Sequence, residues 1–491
     1  MAEVGGVGGV GGAVRNRWLV LVAMTGSLSM VMLDQTVVTI ALPTMSRDLH
    51  LSSTGQTWVV NAYVLAMAAL VALGGKLGDR VGGVTTFTTG VVVFFLASLG
   101  CGLAPSGDLG ETWIIAARVL QGCGAALMMP ASASIVVSSF GVTERGKAMA
   151  IYVGISQVFL AVGPLLGGVL TQTVSWRAVF FLNVPLGLAA LALVRVARPE
   201  NIARPDARIR PVSVALLVSG VALVVLALQQ SSVWYWGSVA TLGTLGAGLV
   251  ITACFVVTQL RTDDPLVDVR LFARRDLVGN FTVITLMQFG LLPVILFTSL
   301  YAQNLLGFSP IVAGVSALPL ILPIMLSAQV GGRWYDRAGV RPPVLSGLAV
   351  ATVGLGGWAA ALPALSYPWQ VPGMVVTGLG LGLMLSPTNT DTLGRVTRAQ
   401  RSQASGLLQT VRQLGGTLGV ALVGTLVLGI QHAPASGSAA DPKQHAADAI
   451  TVGFVVAAAA LLAALVAGLL LLSRQRVVDA DAEDHLLATA G

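Results

Sequence analysis

The chain reads as an all-α, polytopic membrane protein of fourteen spans, and three features of the sequence carry that reading. Its 491 residues are 55% hydrophobic and only 10% charged, against about 25% charged in soluble chains. The mean hydropathy is +0.84. Apolar stretches of about 20 residues, the length that crosses a bilayer, recur along the whole sequence, and the basic residues fall on alternate connections between them. Low polarity excludes a disordered chain, and the 58 glycines follow no Gly-X-Y period. In an apolar chain they suit helices packed backbone to backbone.

The first span, 18–41, follows a glycine-rich run from Gly5 to Gly12 and then Arg15 and Arg17. It is too long for the core of a signal peptide, and no small-residue cleavage site precedes the next span, so it is expected to stay uncleaved. Spans two to six run over 55–75, 85–104, 112–137, 149–173 and 178–197. The charged stretches 198–211 and 260–276 bracket spans seven and eight, 212–229 and 237–259. Spans nine to fourteen cover 280–302, 310–330, 343–363, 369–390, 405–430 and 450–473. With the N-terminus inside, 23 of the 28 Lys and Arg lie on inner segments, while Arg47, Arg177 and Lys443 lie outside and Arg118 and Arg412 fall within spans. An odd number of spans would scramble this asymmetry, so both termini are expected in the cytoplasm. The net charge of +7 then reflects orientation and contact with anionic lipid, not nucleic-acid binding.

The sequence also repeats itself. Gly75-Lys76-Leu77-Gly78-Asp79-Arg80-Val81-Gly82 follows span two, and Gly332-Arg333-Trp334-Tyr335-Asp336-Arg337-Ala338-Gly339 follows span ten, 257 residues later on the same face. The shared Gly-x-x-x-Asp-Arg-x-Gly has a physical logic: glycines permit a tight turn, and Asp and Arg can cap or bridge helix ends. Duplication of a six-span half explains it. The expected organisation is an N-terminal segment 1–17, a six-helix half 18–197, an inserted hairpin with its linkers 198–276, a second six-helix half 277–473, and a tail 474–491. Loop 431–449 and the tail read as flexible.

At this point the chain resembles the drug:proton antiporters of the major facilitator superfamily, in their fourteen-span branch. The resemblance rests on Leu33-Asp34-Gln35-Thr36-Val37-Val38-Thr39-Ile40-Ala41-Leu42-Pro43 in span one, on the loop Gly75 to Gly82, and on Arg118-Val119-Leu120-Gln121-Gly122-Cys123-Gly124-Ala125 in span four. It extends to Gly163-Pro164-Leu165-Leu166-Gly167-Gly168 in span five and to Trp176-Arg177-Ala178-Val179-Phe180-Phe181-Leu182-Asn183-Val184-Pro185 leading into span six. It implies a major facilitator fold, proton transfer at span four and antiport directed by span five. Two departures stand out. Gly83 and Val84 replace the usual basic pair after the loop, and Phe159 stands where span five usually has a glycine.

Asp34 is the one acid well inside a span. Burying a carboxylate there costs about 2.5–3.5 kcal/mol on insertion scales, which marks it as functional. Asp34 and Arg118 lie about seven and six residues below the outer ends of their spans, both roughly 10 Å deep. They are expected to meet, directly or through Gln121 or water. Asp34 is then the proton carrier, while Arg118, which does not deprotonate, modulates it. Gly163-Pro164 and Gly167-Gly168 are read as a hinge with close helix contact. Asn61, Tyr63, Gln121, Gln157 and Gln288 are candidate anchors in an apolar cargo cavity. Asp391 sits only at the inner end of span twelve, so monocationic, zwitterionic or neutral amphiphiles are the expected cargo. Arg412 is expected to snorkel inward.

No chemistry of another kind is encoded. Cys101, Cys123 and Cys254 show no metal or disulfide spacing, and His50, His432, His445 and His485 fall in loops or the tail. Neither HExxH, GxSxG nor a Walker sequence is present, which disfavours a membrane enzyme and an ATP-driven pump. The expected function is a cofactor-free exporter of drugs, antibiotics or other hydrophobic compounds, driven by protons. The alternative is a dedicated exporter of one endogenous metabolite. The expected partners are a lipophilic small molecule, protons and membrane lipid. The chain is expected to act as a monomer in a bacterial inner membrane.

Overall fold

A computed structural model describes residues 16–107, 109–203, 209–262, 265–397, 400–432 and 442–475. The glycine-rich run, Arg15, the loop 433–441 and the tail from 476 onward lie outside the described residues. Among the described residues all regular structure is helical. Helices α1 (Arg17–Asp48), α2 (Ser53–Val81), α3 (Gly83–Gly102), α4 (Gly110–Ser139) and α5 (Arg145–Thr173) form the first five spans. The sixth is split into α6 (Trp176–Phe181) and α7 (Asn183–Ala197). α8 (Pro211–Trp234) and α9 (Val239–Leu260) pair as a hairpin. Then come α10 (Val278–Asn304), α11 (Pro310–Val315) with α12 (Leu318–Ala338), α13 (Arg341–Ala361), α14 (Tyr367–Gly394), α15 (Arg401–His432) and α16 (Pro442–Leu471).

Thirteen helices are long and apolar enough to cross a membrane, and α5 makes a fourteenth span with a 44° bend between Arg145–Leu160 and Leu165–Thr173. Every span read from the sequence has its helix, but the ends differ. α1 runs seven residues past 41, because a helix ends where its backbone bonds end and not where hydropathy falls. The loop expected over 431–449 is already helical from Pro442, since proline fits the first position of a helix, where its missing N–H costs nothing. His432 therefore closes α15, and His445 lies on α16 beside the Ile430 carbonyl.

α1 packs against α4, α5 and α7, and α4 packs against α2 and α3; α10 packs against α15 and α16, and α14 against α12 and α13. The two bundles meet along two seams, α5 with α12 and α2 with α15. Lipid gives apolar side chains no reason to leave it, so helices associate through close backbone approach. A Cβ at Gly74 would lie 2.2 Å from the Ala126 carbonyl oxygen, and one at Gly378 would lie 2.1 Å from that of Leu320.

The duplicated motif builds both seams. Gly82 and Gly339 end α2 and α12 at φ 95° and 79°, a region in which only glycine is unstrained. Asp336 accepts from the Gly146 and Lys147 N–H groups at 3.0 and 3.2 Å, and Asp79 accepts from the Gln403 N–H at 3.2 Å. Each aspartate thus receives first-turn N–H groups of a helix in the opposite bundle, where the helix dipole favours negative charge. Ser386 donates to the Gly146 carbonyl and Arg401 to Ser138, each at 3.1 Å. These bonds between the bundles all lie at the arginine-rich face. The linker after α9 joins them there: Lys76 donates to the Pro265 carbonyl and Gln403 to that of Leu266.

A Cβ at Gly332 would lie 2.4 Å from the Gly146 carbonyl oxygen, so Gly332→Val should force the α5–α12 seam apart. Overpacking of this kind costs about 1–3 kcal/mol. A cysteine placed at buried Ser386 should then be alkylated about tenfold faster than in the parent, since ~1.4 kcal/mol is tenfold in an equilibrium.

Candidate functional site

α1, α2, α3, α4 and α7 converge on one buried polar hub. Asp34 and Arg118 are 2% and 1% exposed, and the ionic contact between Arg118 Nη1 and Asp34 Oδ2 is 2.6 Å. Arg118 Nη1 also donates to Gln121 Oε1 at 2.7 Å, and its Nε donates to the Val59 carbonyl at 3.0 Å. The guanidinium lies over the Tyr63 ring, 4.3 Å from the centroid, and Tyr63 meets Phe94 edge-on. Asp34 Oδ1 accepts from Gln121 Nε2 at 2.7 Å and from Asn183 Nδ2 at 3.3 Å. Ser98 accepts from both amides and donates to the Phe180 carbonyl. The Cys101 thiol lies 3.8 Å from Gln121 Oε1.

Local sequence explains the convergence. Arg118 and Gln121 are three apart on α4 and share a face. The break at Leu182, between α6 and α7, places Asn183 at the first position of α7, beside α1. Depth matching found Asp34, Arg118 and Gln121, and the structure supplies the lateral contact. It did not find Asn183, Ser98 or Cys101. Asn183 had a visible signal, since it stands inside the motif leading into span six at the depth of Asp34. Ser98 and Cys101 gave none, because small side chains of that kind are common on packed helices.

The other polar candidates do not join the hub. Asn61 and Gln157 are half-buried, and Gln288 packs beside Gly416 on α15. Asp391 is 1% exposed and bound by Arg395 Nε and by Asn280 Nδ2, each at 2.7 Å. Arg412 reaches toward the arginine-rich end of its helix and finds amide partners on the way. Its Nη1 donates to Gln409 Oε1 and its Nη2 to Asn389 Oδ1, both at 3.0 Å, and its buried Nε has no acceptor among the described residues. No group of three or more potential metal ligands occurs among the described residues.

Residues 24–420 match the family model described as Major Facilitator Superfamily. The chain belongs to that superfamily. It is 34% identical over 411 residues to the tetracenomycin C resistance and export protein of Streptomyces glaucescens, covering 84% of this chain and 76% of that one. It is 33% identical over 477 residues to the puromycin resistance protein of Streptomyces alboniger, covering 94% and 93%. A crystal structure of a human organic anion transporter superposes with a TM-score of 0.61 at 14% identity, over 92% of this chain and 99% of that one. That likeness concerns the fold alone.

In this superfamily member the motif residues of the loop and of span five are packing positions in the described structure. Cβ atoms at Gly75 and Gly78 would lie 2.6 Å from the Ser402 carbonyl oxygen and 2.7 Å from the Ser402 side chain. Arg80 lies in the last turn of α2, and Arg337 lies in that of α12. Gly163 and Gly167 press α5 against Thr36 and Val37 of α1, and Gly168 faces Ile311 of α11. The Pro164 side chain lies outside the described residues, but its lack of an N–H has a visible consequence. The Leu160 carbonyl, four residues earlier, loses its helical donor, and the Thr36 hydroxyl lies 3.1 Å from it across the interface and equally 3.1 Å from the Leu33 carbonyl, sharing its hydrogen between the two. α1 thus repairs the backbone of α5 at the bend, two residues from Asp34.

Thr36→Val keeps the shape and removes the donor. The acceptor is half-buried, so the loss should be near the low end of the range for an unpaired acceptor, about 1 kcal/mol, read as a lowered denaturation midpoint. Thr36→Ser should restore most of the loss.

Proposed function

We propose that this chain exports amphiphilic drugs or antibiotics across a bacterial inner membrane in exchange for protons, with Asp34 as the proton carrier. The observation that carries this reading is the dry hub, in which the only acid deep in the first bundle has an arginine, two amides and a hydroxyl arranged around it. The antibiotic resistance and export functions named for its relatives support the cargo class. The expected absence of catalysis and of a cofactor is part of the same reading.

The mechanism follows from the chemistry of the pair. With Asp34 ionised, it and Arg118 neutralise each other, and every oxygen of the carboxylate has a donor. A proton on Asp34 turns one acceptor oxygen into a donor and leaves Arg118 as an uncompensated charge in a water-poor interior. Removing one partner of a buried pair costs about 3–5 kcal/mol, enough to shift a two-state equilibrium between the bundles. Asn183 suits the exchange because its Oδ1 has no donor among the described residues. Turning its amide offers that oxygen to the protonated carboxyl. Release of the proton restores the ion pair and the first arrangement.

We place both termini and the arginine-rich face in the cytoplasm, by the distribution of basic residues. The seam closed in this structure then belongs to the outward-facing state, in which Asp34 loads from outside. On this reading the functional unit is the monomer in its lipid, with halves 18–197 and 277–473 moving about the hub. A dedicated exporter of one self-made compound uses the same machinery; the relative named for both resistance to and export of tetracenomycin C favours keeping that reading in view.

Efflux in energised inverted vesicles across a compound panel, with and without a protonophore, tests the coupling. Asp34→Asn should abolish proton-driven efflux at normal membrane abundance, and full transport by that variant would sink the proposal. Asn183→Leu should slow efflux by about tenfold, the effect of one neutral hydrogen bond of roughly 1.4 kcal/mol lost from the protonated state.

A further inference from the structure

The second bundle holds a half-buried charge that proton exchange does not use. Of the five charged side chains Asp34, Arg118, Asp391, Arg395 and Arg412, Asp34 pairs with Arg118 and Asp391 pairs with Arg395. Arg412 forms no ion pair among the described residues. Its contacts are neutral amide oxygens, Gln409 on its own helix and Asn389 on α14, and its buried Nε–H meets no acceptor. Isolated charge in a low-dielectric interior is expensive, and proteins satisfy it with a partner of opposite sign.

The position of Arg412 says where that partner would come from. Asn389 lies five residues from the arginine-rich end of α14, and Arg412 lies eleven residues above that end of α15. The side chain bridges the two levels, which puts the guanidinium about 10 Å inside the helix ends at ~1.5 Å per residue. Across the bundle interface, seven residues from the starts of their turns at the same face, stand Tyr152 of α5 and Ser132 of α4, whose hydroxyls share a bond of 2.6 Å. Tyr152 is within electrostatic reach of Arg412. The guanidinium therefore lies near the interface between the bundles. Two amides fix its plane. A planar guanidinium held in that way recognises a planar oxyacid better than any cation or neutral ring.

We propose that Arg412 is the anchor for the acidic group of an amphiphilic cargo, a carboxylate or comparable oxyacid, with Asn389 and Gln409 holding the guanidinium. This rests on the export reading above and changes the cargo expected from sequence, because Arg412, a positive charge, forms no ion pair among the described residues. Asp34 is occupied by Arg118 and is not free to select a cation.

The test uses the full-length protein in phosphatidylcholine proteoliposomes with an imposed proton gradient. The probes are an amphiphilic dye bearing one carboxylate and its methyl ester. The parent should move the acid, and Arg412→Gln should reduce acid transport at least tenfold while leaving ester transport within twofold. Arg412→Lys should retain an intermediate rate, which controls for misfolding. Equal loss of both probes in Arg412→Gln would make the residue a structural brace and overturn the proposal. So would a parent protein that moves the ester and ignores the acid. Phosphatidylglycerol that displaces the dye from the parent, with no dye transport, would make a lipid headgroup the occupant and also overturn it. A parent that moves neither these probes nor any member of the compound panel would overturn the export reading itself, a separate failure.

Discussion

A charge inside a bilayer must find its opposite, and this one constraint organises the molecule. Asp34 and Arg118 sit together almost fully buried, so each remaining lone pair and N–H needs a partner. Five helices supply those groups. The amide of Gln121, one turn along from Arg118, contacts both ions. The broken sixth span delivers Asn183, and a serine on α3 ties the two amides together. The ring of Tyr63 closes the face of the guanidinium. Protonation at one atom therefore disturbs contacts on all five helices, which is the property a transport cycle requires.

The second organising element is the duplicated turn. The same eight-residue pattern appears in both bundles, and each copy reaches over to the other. The glycines allow backbone contact, and the aspartate receives the open N–H groups of a helix start. Thr36 adds a link of a different kind, since its hydroxyl reaches the Leu160 carbonyl at the bend of α5 from a position two residues beyond Asp34. The hub and the bend thereby share one turn of α1.

Much of this was legible in the sequence. Hydropathy gives depth along the membrane normal, so Asp34, Arg118 and Gln121 could be matched level by level, and the repeated Gly-x-x-x-Asp-Arg-x-Gly fixed two corresponding faces. Lateral position is not written in hydropathy. Asn183 and Ser98 were therefore missed, although one lay inside a recognised motif. The inward reach of Arg412 could be expected from the sequence, but its amide partner Asn389 on α14 could not, because that contact is lateral. The breaks at Leu182 and between α11 and α12 are not marked by hydropathy, although Pro185 and Pro319 stand in the first turns that follow them.

The contacts of Asp79 and Asp336 have a further consequence. An aspartate facing a helix start is a charge against a partial charge, worth about 0.3–1 kcal/mol at an exposed surface and up to ~2 kcal/mol when partly buried. Asp79 is buried and Asp336 half-buried, so the two latches differ in their access to water. Salt screens the more exposed charge first, and ionic strength on that face should loosen the α5–α12 seam before the α2–α15 seam.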